Sequence, residues 1–161
     1  MELYSKFMEN FTLPVYDIVR NTSRFRSSLV LQKTQWFPPE SLRKFQNQNL
    51  RMILRHAYET VPYYRRVFKQ NGVHPNDFRS VEDLVKIPVL TKEIIQENSQ
   101  DLISCAFPVE RLVPYRSGGS GSQVRFFVTK EQQSWEIAAE YRAYGWAGYK
   151  LGNKCFMFWW R

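Results

Sequence analysis

The sequence predicts an α/β fold in which N-terminal helices precede the first strands and helix of a sheet, and the sheet is incomplete within the chain. Apolar residues recur at helical spacing over residues 39–60, whereas two β-rich runs, residues 112–116 and 124–129, flank a Gly/Ser loop. Residues 155–160 form a continuous apolar run, which is typical of a strand buried on both faces. Such a strand needs neighbours and covering helices, so we expect the start of a larger sheet domain.

Prolines mark the ends of the first two predicted helices. Pro39 suits the first turn of a helix over residues 39–60, in which Leu42, Phe45, Ile53, Leu54 and Ala57 are the apolar residues. Pro62 ends that helix and opens a shorter one, which is expected to stop at the Asn71-Gly72 pair.

Capping residues and spacing mark the later elements. Ser80 and Asp83 have the spacing of a capping box, and Thr91 is a candidate N-cap. Residues 130–145 form a predicted helix with Trp135, Ala138 and Ala139 on its apolar face. The sequence therefore divides into an N-terminal helical or irregular arm (1–38), in which only a short helix beginning near Pro14 is predicted, a helical region (39–110), and the start of an α/β sheet (111–161).

Composition excludes several classes of protein. The chain has 161 residues, of which 43% are hydrophobic and 16% aromatic, enough for the core of one modest domain. No apolar run approaches the length of a transmembrane helix, and the N-terminus lacks a secretory pattern, so we expect a cytoplasmic protein. The two cysteines and two histidines form neither a disulfide framework nor a metal-binding pattern.

Positive charge is concentrated in the first half of the chain. Residues 20–79 contain twelve basic and three acidic residues, a local excess of +9 in a chain whose formal net charge is +8. A basic surface can bind nucleic acid, an anionic membrane surface or an acidic partner, or it can be an ordinary solvated face. Few aromatic residues are placed to stack bases, so nucleic acid is not expected as a partner.

The Gly/Ser loop consists of Ser117, Gly118, Gly119, Ser120, Gly121 and Ser122. Its backbone N–H groups and hydroxyls could hold phosphates, or it could be a plain hairpin connection. A nucleotide loop of the NTPase kind would need Lys followed by Ser or Thr and then a helix, and a dinucleotide loop would also run into a helix. A nucleophile elbow needs different spacing and a candidate base. A strand–loop–strand hairpin able to grip phosphate remains.

Four ordered stretches carry a family resemblance. They are residues 56–65 (HAYETVPYYR), 84–92 (LVKIPVLTK), 116–121 (RSGGSG) and 142–154 (RAYGWAGYKLGNK). Together they resemble the N-terminal part of the adenylate-forming ligases, specifically the phenylacetate–coenzyme A ligase-like group. Within that group the chain is most similar to proteins associated with capsular polysaccharide synthesis.

The resemblance implies a function for the loop. It implies that residues 117–122 bind the phosphates of ATP, with Mg²⁺, while a small-molecule carboxylate is adenylated and then passed to coenzyme A or another acceptor. The chain departs from the family pattern at Arg116, Gly119, Gln123 and Asn153. The family's later motifs lie beyond residue 161, so no catalytic residue is expected here, and activity would require association with a missing C-terminal portion. The alternative is a non-catalytic homologue that acts as a basic binding or assembly module.

Overall fold

A computed structural model describes residues 2–117 and 123–154. The helices are α1 (Glu2–Phe7), α2 (Leu13–Arg20), α3 (Arg24–Thr34), α4 (Pro39–Thr60), α5 (Pro62–Gln70), α6 (Lys92–Glu97) and α7 (Lys130–Trp146). A π-helical stretch, Met8–Thr12, joins α1 to α2, and β1 (Val113–Arg116) pairs with β2 (Arg125–Val128). The predicted fold class is confirmed: helices precede two strands and a further helix.

The chain forms two compact units. The first comprises the described residues within Met1–Trp36 and Thr129–Arg161, and the second comprises those within Phe37–Val128. The three-part division expected from the sequence stays a prediction. The predicted strand at 155–160 lies outside the described residues.

In the first unit, α3 packs against α7 through small residues. Ser27 and Ser134 are almost completely buried, and Ala138 is 1% exposed. The Ser134 hydroxyl accepts a hydrogen bond from the Ser23 N–H (3.1 Å) and donates to the Lys130 carbonyl (2.8 Å). Small side chains let the helices approach closely, and because the buried hydroxyl is satisfied it costs little.

A buried carboxylate joins α2 to α3. Asp17 is 9% exposed, and its oxygens accept hydrogen bonds from the Thr22 hydroxyl (2.6 Å) and the Phe25 N–H (2.7 Å). Asn21, between them, adopts φ 51°, a left-handed conformation that asparagine tolerates well. The carboxylate therefore ties the end of α2 to the first turn of α3 across a tight connection.

The second unit has two neighbouring hydrophobic clusters. Leu54, Phe68 and Phe78 form one, and Phe68 and Phe78 are both 0% exposed. Val61, Tyr63 and Val67 form the other. These clusters pack the end of α4 against α5 and the segments that follow α5.

Most predicted helix boundaries are confirmed. Helix α4 spans Pro39–Thr60, α5 spans Pro62–Gln70, and the Thr91 hydroxyl caps α6 by accepting from the Ile94 N–H at 3.4 Å. The helix predicted near Pro14 is also present, as α2.

Two expectations about the helices need correction. Trp135 is 36% exposed and α7 buries Ser134 and Ala138 instead, because α3 leaves room only for small side chains there. On α4, the apolar spacing does not correspond to a continuous buried face, because Leu42 and Ile53 are exposed and Leu54 is the one buried residue of the helix.

The capping box predicted at Ser80 and Asp83 is present, and it precedes a 3₁₀ helix, Val81–Lys86. The Asp83 carboxylate is bound by the Lys86 ammonium (2.7 Å) and by the backbone N–H groups of Arg79 (2.7 Å) and Ser80 (3.1 Å). These interactions lower the pKa of Asp83 from 3.8 to about 2. The hydrogen bond from Lys86 makes the largest contribution to this shift.

This shift predicts an acid-sensitive contribution to stability. Because the pKa of Asp83 is lower in the folded chain, the ionised carboxylate stabilises the fold above its unfolded pKa of 3.8, and this is lost as pH falls towards about 2. Between these pH values we expect the melting temperature of the wild type to fall more steeply than that of Asp83→Asn. Thermal melts followed by circular dichroism across this window check the difference, and parallel slopes would contradict it.

Candidate phosphate-binding hairpin

The hairpin that carries the Gly/Ser loop is antiparallel and in regular register. Val113 faces Val128, Pro114 faces Phe127, Tyr115 faces Phe126, and Arg116 faces Arg125. Beyond the strands, the Ser117 N–H donates to the Val124 carbonyl at 2.8 Å. The strand–loop–strand arrangement predicted from the sequence is therefore confirmed, and the facing pair Ser117 and Val124 closes the loop.

Ser117 is the one predicted phosphate-binding residue among those that the structure describes. Its hydroxyl accepts a hydrogen bond from the Val124 N–H at 2.9 Å, so the side chain pins the base of the loop. The hydroxyl proton remains available to an acceptor. Gly118, Gly119, Ser120, Gly121 and Ser122 lie outside the described residues, and their phosphate-binding role stays a prediction.

The two faces of the hairpin differ in character. One face carries Val124 and Val128, which are 9% and 3% exposed, together with the rings of Tyr115 and Phe126, whose centroids are 5.8 Å apart. Successive strand residues point to opposite faces, so the other face carries Pro114, Phe127 and the facing arginines. An apolar face thus anchors the hairpin while the opposite face presents charge.

Arg116 and Arg125 are both exposed, and within the part of the chain that the structure describes neither side chain makes a hydrogen bond or ion pair. The Ser117–Val124 pair is hydrogen-bonded, so the alternation of an antiparallel ladder makes Arg116–Arg125 a non-hydrogen-bonded pair, with Cα atoms about 4.5 Å apart. Sequence reasoning noted Arg116 only as a departure from the family pattern and missed Arg125. Counting equal numbers of residues outward from Ser117–Ser122 pairs Arg116 with Gln123, so the bounds of the loop alone do not predict the observed pairing of Arg116 with Arg125.

The basic stretch at residues 20–79 is divided between the two units. Three of its arginines are engaged within the chain. Arg43 pairs with Glu82 at 2.6 Å, Arg66 contacts Asp101 and Asn98 at 2.9 Å each, and Arg65 donates to the carbonyls of Tyr58 and Glu59. Part of the local charge excess therefore serves intramolecular contacts.

The family-like stretch at residues 56–65 forms a structural joint. Thr60 donates its hydroxyl proton to the His56 carbonyl (2.7 Å), and Ser104 donates its own to the Thr60 hydroxyl (2.8 Å). The His56 Nε2 atom lies 3.2 and 3.3 Å from the two hydroxyl oxygens and completes the network. The network holds the segment around Ser104 and Cys105 against the end of α4.

The other family-like stretches also have structural contacts. Asn153, which departs from the family pattern, accepts a hydrogen bond from the Ser5 hydroxyl at 3.3 Å. In the stretch at residues 84–92, Leu84, Ile87 and Leu90 pack against the hydrophobic clusters of the second unit.

Among residues 2–117 and 123–154, no group of three His, Cys, Asp or Glu side chains is placed to hold a metal ion. No helix in those ranges combines the length and the apolar character that crossing a bilayer requires.

The Gly/Ser loop and the two arginines that face each other at its base make this hairpin a candidate anion-binding site. Comparison with known proteins shows which proteins the chain resembles. A phenylacetate-coenzyme A ligase of Escherichia coli (strain K12) is 45% identical over 74 residues, which are 46% of this chain and 17% of the ligase. A ligase of the same name from Aromatoleum evansii is 44% identical over 59 residues, which are 37% of this chain and 13% of that ligase. Another, from Thermus thermophilus, is 39% identical over 61 residues, which are 38% of this chain and 14% of that ligase.

The resemblance to the phenylacetate–coenzyme A ligase-like group is therefore confirmed. No family model matches the chain. The matched stretch spans 17% of the length of the first of these relatives and less of the others.

Proposed function

We propose that this chain is the phosphate-binding portion of an AMP-forming ligase. The identity of 45% over 74 residues to a phenylacetate-coenzyme A ligase is the observation that carries the proposal. Such a ligase adenylates a small-molecule carboxylate with ATP and passes the acyl group to coenzyme A or another acceptor. Its resemblance to proteins associated with capsular polysaccharide synthesis suggests polysaccharide- or capsule-related metabolism, and we place it in the cytoplasm.

In this proposal residues 117–122 hold the β- and γ-phosphates of ATP. The backbone N–H groups and hydroxyls of such a loop are preorganised donors, and preorganised donors stabilise a charged phosphoryl group without reorganising during the reaction. The Ser117 hydroxyl supports this role by fixing the base of the loop to Val124 (2.9 Å). Mg²⁺ would accompany the ATP phosphates, as the family resemblance implies.

Turnover is proposed to need a further polypeptide portion. The stretch matched to the Escherichia coli ligase covers 17% of that enzyme, and positioning and domain closure supply much of the rate in such chemistry. We therefore expect the 161-residue chain to bind nucleotide without catalysing adenylation.

Nucleotide binding and ATP–pyrophosphate exchange test the proposal. We expect isothermal titration calorimetry to show ATP binding to the full chain, and Gly121→Val to weaken it by tenfold or more, since a side chain would obstruct the close approach of phosphate that glycine permits. Equal ATP affinity of the two proteins would contradict the loop assignment. Exchange activity of the chain by itself would contradict the need for a further portion.

A second candidate function, a basic binding module, is supported by a different observation. Arg51 and Arg55, one helical turn apart on α4, make no ion pair within the described residues and line a concavity of about 260 Å³ with Gln48 and Asn76. Binding to anionic vesicles that falls steeply with salt, and falls further in Arg51→Gln/Arg55→Gln, would favour this module. No binding at low salt would exclude it.

A further inference from the structure

Two arginines face each other across the hairpin immediately before and after the loop-closing pair. Arg116 and Arg125 are cross-strand partners, and in a non-hydrogen-bonded pair the side chains of facing residues lie on the same face and close together. Like charges directly opposite each other destabilise a strand pair. The juxtaposition therefore carries a cost in the ligand-free chain that a bound anion would remove.

No nearby acidic residue in the sequence offsets this charge. Residues 111–130 contain four basic residues, Arg111, Arg116, Arg125 and Lys130, and no Asp or Glu. The loop between the two arginines consists of Gly, Ser, Gln and Val alone, so it contributes no carboxylate. Other exposed arginines of the same unit form ion pairs with acidic residues, Arg43 with Glu82 and Arg66 with Asp101.

We propose that Arg116 and Arg125 form a two-guanidinium clamp for a polyphosphate, with one arginine contributed by each strand. A guanidinium presents a planar fork of N–H donors that matches two oxygens of a phosphate, and it stays charged at any physiological pH. Two forks from opposite strands suit a ligand with at least two linked phosphates, such as a nucleoside triphosphate or inorganic tripolyphosphate, better than a single phosphate.

The clamp deepens the proposed function and rests on it in naming a nucleotide as the natural ligand. The loop and the arginines would have separate roles. The loop would supply short backbone and hydroxyl donors. The arginines would supply the positive charge that a lysine supplies in NTPase loops, because Gly121 is followed here by the uncharged pair Ser122-Gln123. The clamp also gives Arg116, a departure from the family pattern, a binding role.

Tripolyphosphate binding to the full 161-residue chain tests the clamp directly. We expect calorimetry at low salt to show that Arg116→Gln and Arg125→Gln each weaken tripolyphosphate binding about tenfold to a hundredfold, the usual effect of losing a charge-assisted contact. Arg125→Lys keeps the charge but loses the fork, so an intermediate affinity is expected. Arg111→Gln is the matched control, because it removes the same charge from the same acid-free segment outside the facing pair.

Thermal stability gives a second readout. In phosphate-free buffer Arg125→Gln is expected to raise the melting temperature by about 1–3 °C, since it relieves the repulsion. With excess tripolyphosphate the wild type is expected to have the higher melting temperature, because it binds the ligand more tightly and is stabilised more by it. A purely structural role for the arginines predicts no reversal.

The outcomes separate the clamp from the proposed function. Failure of the wild type to bind tripolyphosphate at low salt, or equal affinity of Arg125→Gln and the wild type, overturns the clamp, even if Gly121→Val abolishes ATP binding. If Gly121→Val leaves ATP binding unchanged while Arg125→Gln weakens tripolyphosphate binding, the clamp stands and the loop assignment fails. Equal weakening by Arg111→Gln would show general charge attraction and also overturn the clamp.

Discussion

Phe68→Ala is expected to lower the free energy of unfolding of the second unit by about 3–5 kcal/mol, the range seen when a large buried aromatic side chain is truncated. Phe68 is 0% exposed, and its ring centroid lies 5.7 Å from that of Tyr58 and 5.5 Å from that of Phe78. Removing the ring leaves a cavity among α4, α5 and the segment that carries Phe78. Such a loss is a large fraction of the stability of about 5–15 kcal/mol that is usual for a folded domain, so the effect should be easily measured.

Urea unfolding followed by circular dichroism measures the change. Phe127→Ala is the matched control, because it removes the same ring from a position 39% exposed, and we expect a cost of about 1 kcal/mol or less. If the two variants unfold at the same urea concentration, the assignment of Phe68 to the core is wrong.

Asp17→Ala is expected to lower the free energy of unfolding of the first unit by about 2–4 kcal/mol. The substitution removes two short hydrogen bonds, to the Thr22 hydroxyl (2.6 Å) and the Phe25 N–H (2.7 Å). Hydrogen bonds to a charged acceptor contribute about 1.5–3 kcal/mol, and a backbone N–H left without a partner adds a desolvation cost. The joint between α2 and α3 should loosen as a result.

An exposed carboxylate provides the comparison. Asp101→Ala removes the partner of Arg66 (2.9 Å) in an ion pair whose side chains are 46% and 44% exposed, so we expect a loss below about 1 kcal/mol. Thermal melts of the two variants separate a buried from a solvated carboxylate. If Asp17→Ala were as mild as Asp101→Ala, the Asp17 carboxylate would not be holding the connection between the helices.

The helices that the sequence predicted well are those bounded by local signals. Pro39, Pro62 and Thr91 act within a few residues of themselves, since they fix a backbone angle or satisfy a nearby N–H. Helices α1 and α3 were missed because their burial does not follow apolar spacing. Helix α3 buries Ser27 and Thr34 while Leu29 is 51% exposed, so its inner face depends on what packs against it.

Some features of the candidate site could likewise be predicted from the sequence, and others could not. The hairpin and its loop could be predicted, because β-rich runs on either side of Gly and Ser are a local pattern. The anchoring role of the Ser117 side chain could not, because a hydroxyl in a Gly/Ser loop has many available partners. The register decided that it meets the Val124 N–H and that Arg116 meets Arg125.

The α/β class, the ends of α4 and α5, the start of α6, the hairpin around the Gly/Ser loop, and the resemblance to phenylacetate–coenzyme A ligases could all be predicted from the sequence. Each depends on residues near one another in the chain or on an ordered set of short matches. Three features could be known only from the folded chain: Ser134 rather than Trp135 faces α3, a buried Asp17 joins two helices, and two arginines are partners across the loop. The first depends on the packing of helices far apart in sequence, as the hydrogen bond between Ser23 and Ser134 shows. The other two involve residues close in sequence, but they depend on the geometry of a tight connection and on strand register, which apolar spacing does not encode.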